Sequence, residues 1–217
     1  MKNSRIKICC LSSGAEAQLA ISCGASALGL VGNMPSGPGV ISDELIHSIA
    51  QSVPPPVATF LLTSETSTEA IIAHHHRTLT NTIQIVDALR DEKYEELREA
   101  LPQIKFVQVV HVLNEQSIDE ALRLSACVDA LLLDSGNPNL AVKELGGTGR
   151  THNWKLSRRI VEQTKIPVFL AGGINAENVK AALDEVQPFG LDLCSSVRTN
   201  GALDAQKLEN FMKTALR

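Results

Sequence analysis

Aromatic side chains are scarce in this 217-residue chain: one Trp, one Tyr and five Phe make up 3% of it. Its 44% hydrophobic content therefore rests on Val, Ile, Leu and Ala, and a core of that kind suits parallel strands buried on both faces. Basic residues are not in excess either. A formal net charge of −4 and a pI near 5.9 argue against nucleic acid or an anionic membrane as the main partner. No CxxC pair occurs and the five cysteines are an odd number. That points away from a disulfide framework or a zinc knuckle and towards a reducing compartment. No apolar run approaches membrane-spanning length, and the opening MKNSRIKICC has no signal-type apolar core, so a cytoplasmic protein is expected. No Pro/Ser-rich linker or shift of composition divides the chain, and residues 1–217 are expected to form one domain.

What the chain does contain is alternation. Apolar strand candidates lie at residues 5–10, 27–31, 57–62, 82–86, 105–110, 130–134, 168–171 and 191–194. Segments with helical spacing lie at 15–23, 43–52, 67–77, 93–101, 117–127, 154–165, 176–186 and 204–216. Strands alternating with helices imply parallel pairing through right-handed crossovers. Eight such units favour an α/β fold of the (β/α)8 TIM-barrel type over a doubly wound open sheet. The two longest loops, 32–41 and 135–153, follow strands 2 and 6, and both belong to the C-terminal face, where barrels build their sites.

The stretch 168–197 carries the clearest functional signal. An apolar run ends in Gly172-Gly173, and a helix follows with Asn175 expected as its N-cap and Gly190 closing it. A second apolar run then ends in Ser195-Ser196. Small residues just past a strand let backbone N–H groups approach an anion, and in barrels the loops after strands 7 and 8 are the usual phosphate site. The loop Gly146-Gly147-Thr148-Gly149 is a third element of the same kind. Cys9 ends strand 1 and Asp134 ends strand 6, so a thiol and a carboxyl can meet at the barrel mouth as base and acid. Strand alternation lets only one of Cys9 and Cys10 face the pocket. The triplet His74-His75-His76 is better read as solvated or capping than as a metal site, because adjacent helical residues point apart. The charged run at residues 90–96 reads as a solvated helix start.

In this order and spacing, the motifs resemble the phosphoribosylanthranilate isomerase family nearly end to end. The resemblance rests on Lys7-Ile8-Cys9, Gly24-Ala25 with Ala27-Leu28-Gly29, Ile83-Gln84 and Leu132-Leu133-Asp134-Ser135. It continues through GGTG with Trp154, AGGIN with Glu177-Asn178-Val179, and Asp192-Leu193-Cys194-Ser195. It implies an Amadori rearrangement of a phosphorylated aminoaldose to an aminoketose, a step of tryptophan biosynthesis. Cys9 would remove the proton from C2 of the sugar and Asp134 would protonate the ring oxygen. Gly147, Gly149, Gly172, Gly173, Cys194 and Ser195 would line the phosphate site, with Gln84 and Asp192 also near the substrate. No metal and no cofactor are implied; the partner is a small phosphorylated substrate, and the chain would be a monomer or homodimer.

Several positions depart from the family pattern. Cys10 stands where the family has glycine, and Met34-Pro35-Ser36-Gly37-Pro38-Gly39 lacks the arginine that meets the substrate carboxylate. Val86 replaces a histidine, and Arg198 replaces a glutamate. Arg150, His152 and Arg198 are the candidates to replace the lost carboxylate contact. The aromatic-acid pocket is thus expected to be remodelled around a retained acid/base pair. Other readings are a divergent barrel that binds or isomerises a different phosphorylated sugar without anthranilate recognition, one that only binds a phosphorylated ligand, and a metal-dependent barrel enzyme using Asp134, Asp192 and His111.

Overall fold

A computed structural model describes residues 4–90, 93–147 and 149–216; Asp91 and Glu92 of the charged run, and Thr148 of the glycine loop, lie outside the described residues. Eight parallel strands close into a barrel in sequence order, β8 pairing with β1. They are β1 (Arg5–Ile8), β2 (Ala27–Val31), β3 (Ala58–Thr63), β4 (Thr82–Ile85), β5 (Lys105–His111), β6 (Ala130–Asp134), β7 (Val168–Leu170) and β8 (Gly190–Leu193). The helices between and after them are α1 (Gly14–Ser22), α2 (Asp43–Ser52), α3 (Thr68–Thr78), α4 (Tyr94–Ala100), α5 (Gln116–Ser125), α6 (Trp154–Gln163), α7 (Val179–Val186) and α8 (Ala205–Ala215). The expected TIM barrel is therefore present. β2, β6 and α2 fall on their expected bounds, and other ends move by one to three residues. No helix among the described residues is long and apolar enough to cross a membrane.

Capping side chains explain several helix starts. Ser13, Ser42, Ser67, Asn153 and Asp204 each accept a backbone N–H from the first turn of the helix that follows. At α7 the expectation needs correcting. Asn175 does accept N–H bonds, from Glu177 and Asn178, but it caps a turn and the helix proper begins at Val179. Gly190 does not close α7; Gln187 does, in the left-handed conformation at φ 53°. Gly190 is instead the first residue of β8, where a Cβ would stand 2.8 Å from the Arg5 carbonyl oxygen and 2.9 Å from the Phe169 ring. Its smallness serves packing.

Strand alternation sorts the apolar residues into two cores. Ile6, Ile8, Leu28, Leu30, Ile83 and Ile85 face outward into the helix layer, while Phe60, Leu62, Val107, Val109, Leu132 and Phe169 fill the barrel interior. The interior parity also carries polar residues: Lys7 on β1, Gln84 on β4, Asp134 on β6 and Asp192 on β8. An inward polar side chain is costly unless it is partnered or used. Between β8 and α8 the chain makes a short 3-10 turn, Ser195–Val197, and a small antiparallel hairpin of β9 (Arg198–Thr199) and β10 (Ala202–Leu203).

Candidate active site

All ten residues chosen from the sequence line one cleft at the C-terminal end of the barrel: Cys9, Gln84, Asp134, Gly147, Gly149, Gly172, Gly173, Asp192, Cys194 and Ser195. Strand ends place the side chains; the loops after β2, β6, β7 and β8 enclose them. Among these polar groups the lining is apolar, with Val31, Leu62, Val86, Val109, Leu132 and Leu145.

The polar groups at the mouth are organised by a buried ion pair that sequence reasoning did not assign. Lys7 is fully buried, and its Nζ donates to Asp192 Oδ1 at 2.8 Å. Burial alone would lower the Lys7 ammonium, but the charge of Asp192, the nearby Cys9 and the hydrogen bond outweigh it and hold the group above its ordinary value. The inward parity of a lysine in an apolar strand was the available signal. Gly29 on β2 makes room for this arrangement, since a Cβ there would lie 2.9 Å from Cys9 Sγ and 3.1 Å from Lys7 Nζ. The thiol and the ammonium therefore flank the same point.

Asp134 is buried, and its carboxyl is pushed up to about 6. Burial is the main cause, the charge of Asp192 adds to it, and the Ser135 N–H and Lys7 oppose it. A carboxyl with that value keeps a useful protonated fraction near neutrality and can donate a proton. Gln84 is also buried, and among the described residues its Oε1 has no hydrogen-bond partner. An orphaned buried acceptor costs stability in the empty protein and is satisfied when a donor arrives.

Three loops meet on one side of the cleft. Gly173 has φ 63°, and a Cβ there would stand 2.7 Å from both the Arg150 carbonyl carbon and the Thr151 nitrogen. Only glycine lets the β6–α6 backbone lie so tightly on the β7–α7 turn. Gly149, at φ 69°, brings the same loop to within ordinary contact of Ser195 Oγ. The three glycine- and serine-rich elements read from the sequence thus face one another. The 32–41 loop covers them: Ser36 Oγ donates to the Lys143 carbonyl at 2.5 Å, and Pro38 sits against Gly147.

Other expectations are corrected. Cys9 and Cys10 both line the cleft, because β1 ends at Ile8 and Cys10 adopts φ 63°, which breaks strand alternation. None of the three candidates for the carboxylate contact is among the lining side chains. Arg198 turns outward to Glu16, to the Gly201 carbonyl and to the carbonyls of Cys9 and Cys10. Arg150 pairs with Glu144. His152 is packed against α6 with Nε2 2.7 Å from Ser157 Oγ, and burial pushes it down to about 4. Nor is the histidine triplet simply solvated. His74 is buried between Thr63 Oγ1, at 2.9 Å, and Asp43 Oδ1, at 3.1 Å, and His75 Nε2 reaches the Thr80 carbonyl at 2.8 Å. Among the described residues no group of three His, Cys, Asp or Glu side chains is placed to hold a metal ion.

The sequence matches the family model described as N-(5'-phosphoribosyl)anthranilate (PRA) isomerase over residues 6–214. It is 34% identical over 213 residues to N-(5'-phosphoribosyl)anthranilate isomerase 2 of Methanosarcina mazei, covering 97% of this chain and 93% of that protein. The crystal structure of phosphoribosyl anthranilate isomerase from Thermotoga maritima superposes with a TM-score of 0.81 at 29% identity, covering 98% of both chains. A second crystal structure of this type superposes with a TM-score of 0.79 at 27% identity over 98% of both chains. That enzyme is in complex with reduced 1-(o-carboxyphenylamino)-1-deoxyribulose 5-phosphate.

Proposed function

The chain belongs to the phosphoribosylanthranilate isomerase family, and from that premise we propose how its cleft performs the family's aldose–ketose isomerisation, a step of tryptophan biosynthesis. Asp134 donates its proton to the furanose ring oxygen, the C1–O bond opens, and the nitrogen lone pair stabilises the resulting iminium. Cys9 then takes the proton from C2, giving an enolamine that tautomerises to the aminoketose. Lys7 places a fixed positive charge beside the sulfur that receives the proton, and Asp192 holds that lysine in place. Backbone N–H groups around Gly149, Gly172, Gly173 and Ser195 receive the phosphate. Gln84 offers its unpartnered oxygen to a substrate hydroxyl or N–H.

The observation that carries this reading is the buried Asp134, raised to about 6, in the same cleft as Cys9 and the three small-residue loops. The apolar lining, with Val86, Leu132 and Leu145, suits the aromatic ring. No arginine, lysine or histidine lines the cleft among the described residues. That observation favours a second reading in which the amine carried by the sugar phosphate lacks the carboxylate.

The test is turnover of phosphoribosylanthranilate generated in situ, followed by loss of anthranilate fluorescence. Wild type should turn it over, and Cys9→Ala and Asp134→Asn should each lose roughly 10²–10⁴-fold in kcat, the usual range for a general acid or base. A folded wild type that binds inorganic phosphate but leaves this substrate untouched would establish the second reading.

A further inference from the structure

Three of the five cysteines converge at the barrel mouth. Cys10 Sγ lies 2.8 Å from Cys194 Sγ, 184 residues away in sequence, and 3.6 Å from Cys9 Sγ. The proposed isomerisation uses only Cys9. The remaining pair is held in place from several sides. The left-handed turn at Cys10 swings its side chain into the cleft. Arg198 binds the carbonyls of Cys9 and Cys10, and Gly39 packs directly on the Cys10 Cβ. Cys10 is buried while Cys194 is half-buried, and both line the cleft by which ligands enter.

We infer that Cys10 and Cys194 are an oxidation site, closing to a reversible disulfide by exchange with a small disulfide such as glutathione disulfide and thereby perturbing the loop after β8 that would receive the phosphate. A disulfide is about 2.05 Å long, so the two sulfurs need draw together by less than an ångström from their separation of 2.8 Å. In the first step the Cys194 thiolate attacks one sulfur of the small disulfide, that S–S bond breaks, and a small thiolate leaves. In the second, Cys10 gives up its proton and its sulfur attacks the Cys194 sulfur of the mixed disulfide, expelling the second small thiolate. Two protein thiols are oxidised and one small disulfide is reduced to two thiols.

The roles of the two sulfurs follow from their surroundings. Its hydrogen bond with the Cys10 sulfur, with help from Arg198 and Lys7 against burial and the charge of Asp192, holds Cys194 below its ordinary value. Cys10 is pushed well up by its hydrogen bonds to Cys194 and Cys9 and by burial. The more accessible sulfur is thus the better first nucleophile, and the buried one resolves. Cys194 leads directly into the Ser195–Val197 turn, so tying it to Cys10 fixes the loop after β8 across the phosphate side, next to Cys9.

The experiment exposes the reduced full-length chain to glutathione buffers of increasing oxidised fraction, followed by acid quench, thiol alkylation and non-reducing peptide mapping. The expected result is loss of two alkylatable thiols with no retained glutathione, and a cross-link between the peptides carrying Cys10 and Cys194 that dithiothreitol removes. In Cys10→Gly, whose backbone suits the left-handed turn, the cross-link should vanish and Cys194 should keep a glutathione adduct. Cys10→Ser gives the same readout if the glycine variant folds poorly. A stable glutathione adduct on the wild-type chain, or a cross-link through Cys9 instead, would overturn the assignment. Affinity for inorganic phosphate, read by calorimetry, should fall at least tenfold in the cross-linked form; unchanged affinity would refute the effect on the loop after β8. Neither readout needs turnover, so both stand apart from the isomerase reading.

Discussion

Replacing Lys7 by methionine gives the sharpest test of how the cleft is built. The ammonium is fully buried and its partner Asp192 is nearly so, at 0% and 9% side-chain exposure, with 2.8 Å between them. Methionine keeps the length and much of the volume of the side chain but leaves the carboxylate buried without a counter-charge. Breaking a buried pair in this way costs about 3–5 kcal/mol. At roughly 2–4 °C per kcal/mol for a chain of this size, Tm should fall by about 6–20 °C at pH 7. The loss should also depend on pH. Burial pushes the Asp192 carboxyl up and the Lys7 charge opposes it, so removing that charge leaves a folded-state carboxyl well above the unfolded value of about 3.9. The folded variant then holds a proton that the unfolded chain has released, and its stability falls as pH rises between those two values. Lys7→Met should therefore approach wild-type stability near pH 4 and show its full deficit at pH 7. Lys7→Met combined with Asp192→Asn should recover most of the loss, a coupling that a double-mutant cycle reads from urea unfolding. A single variant as stable as wild type at pH 7, or a deficit independent of pH, would refute the reasoning.

Five further outcomes are expected. With Asp134 as the proposed general acid and its carboxyl pushed up to about 6 by burial, kcat/KM should fall as pH rises through that value. Asp192→Asn, which removes one of the charges raising Asp134, should move this limb to lower pH. Gln84→Met should raise thermal stability of the empty protein by about 1 kcal/mol, because the orphaned oxygen is gone, while lowering kcat/KM. Gly190→Ala should cost about 1–3 kcal/mol in urea unfolding, since its Cβ meets a backbone carbonyl and the Phe169 ring under 3.0 Å. Gly173→Ala should raise KM for phosphorylated substrate more than it lowers kcat, because it pushes the 149–151 backbone off the β7–α7 turn.

Local pattern determined the barrel. Near-continuous Val, Ile and Leu runs separated by helical spacing leave few alternatives to parallel strands under helices. Ala27–Val31, Ala130–Asp134 and Asp43–Ser52 could be read with their correct ends. The small residues after β7 and β8, and the acid ending β6, were visible as well, because their chemistry is tied to position along a strand. What sequence could not supply was anything set by neighbours across the barrel. Lys7 meets Asp192 because β1 pairs with β8, a closure linking residues 185 positions apart. Cys10 enters the cleft beside Cys9 because a left-handed turn interrupts alternation, and that turn is braced by Arg198 from the far end of the chain. Arg198 and His152 looked like substrate contacts in one dimension; carbonyls, Glu16 and Ser157 claim them in three. Periodicity is a property of the chain alone. Charge pairing, burial and the accessibility of a thiol depend on which distant segments the closed barrel brings together, and those only the tertiary structure decided.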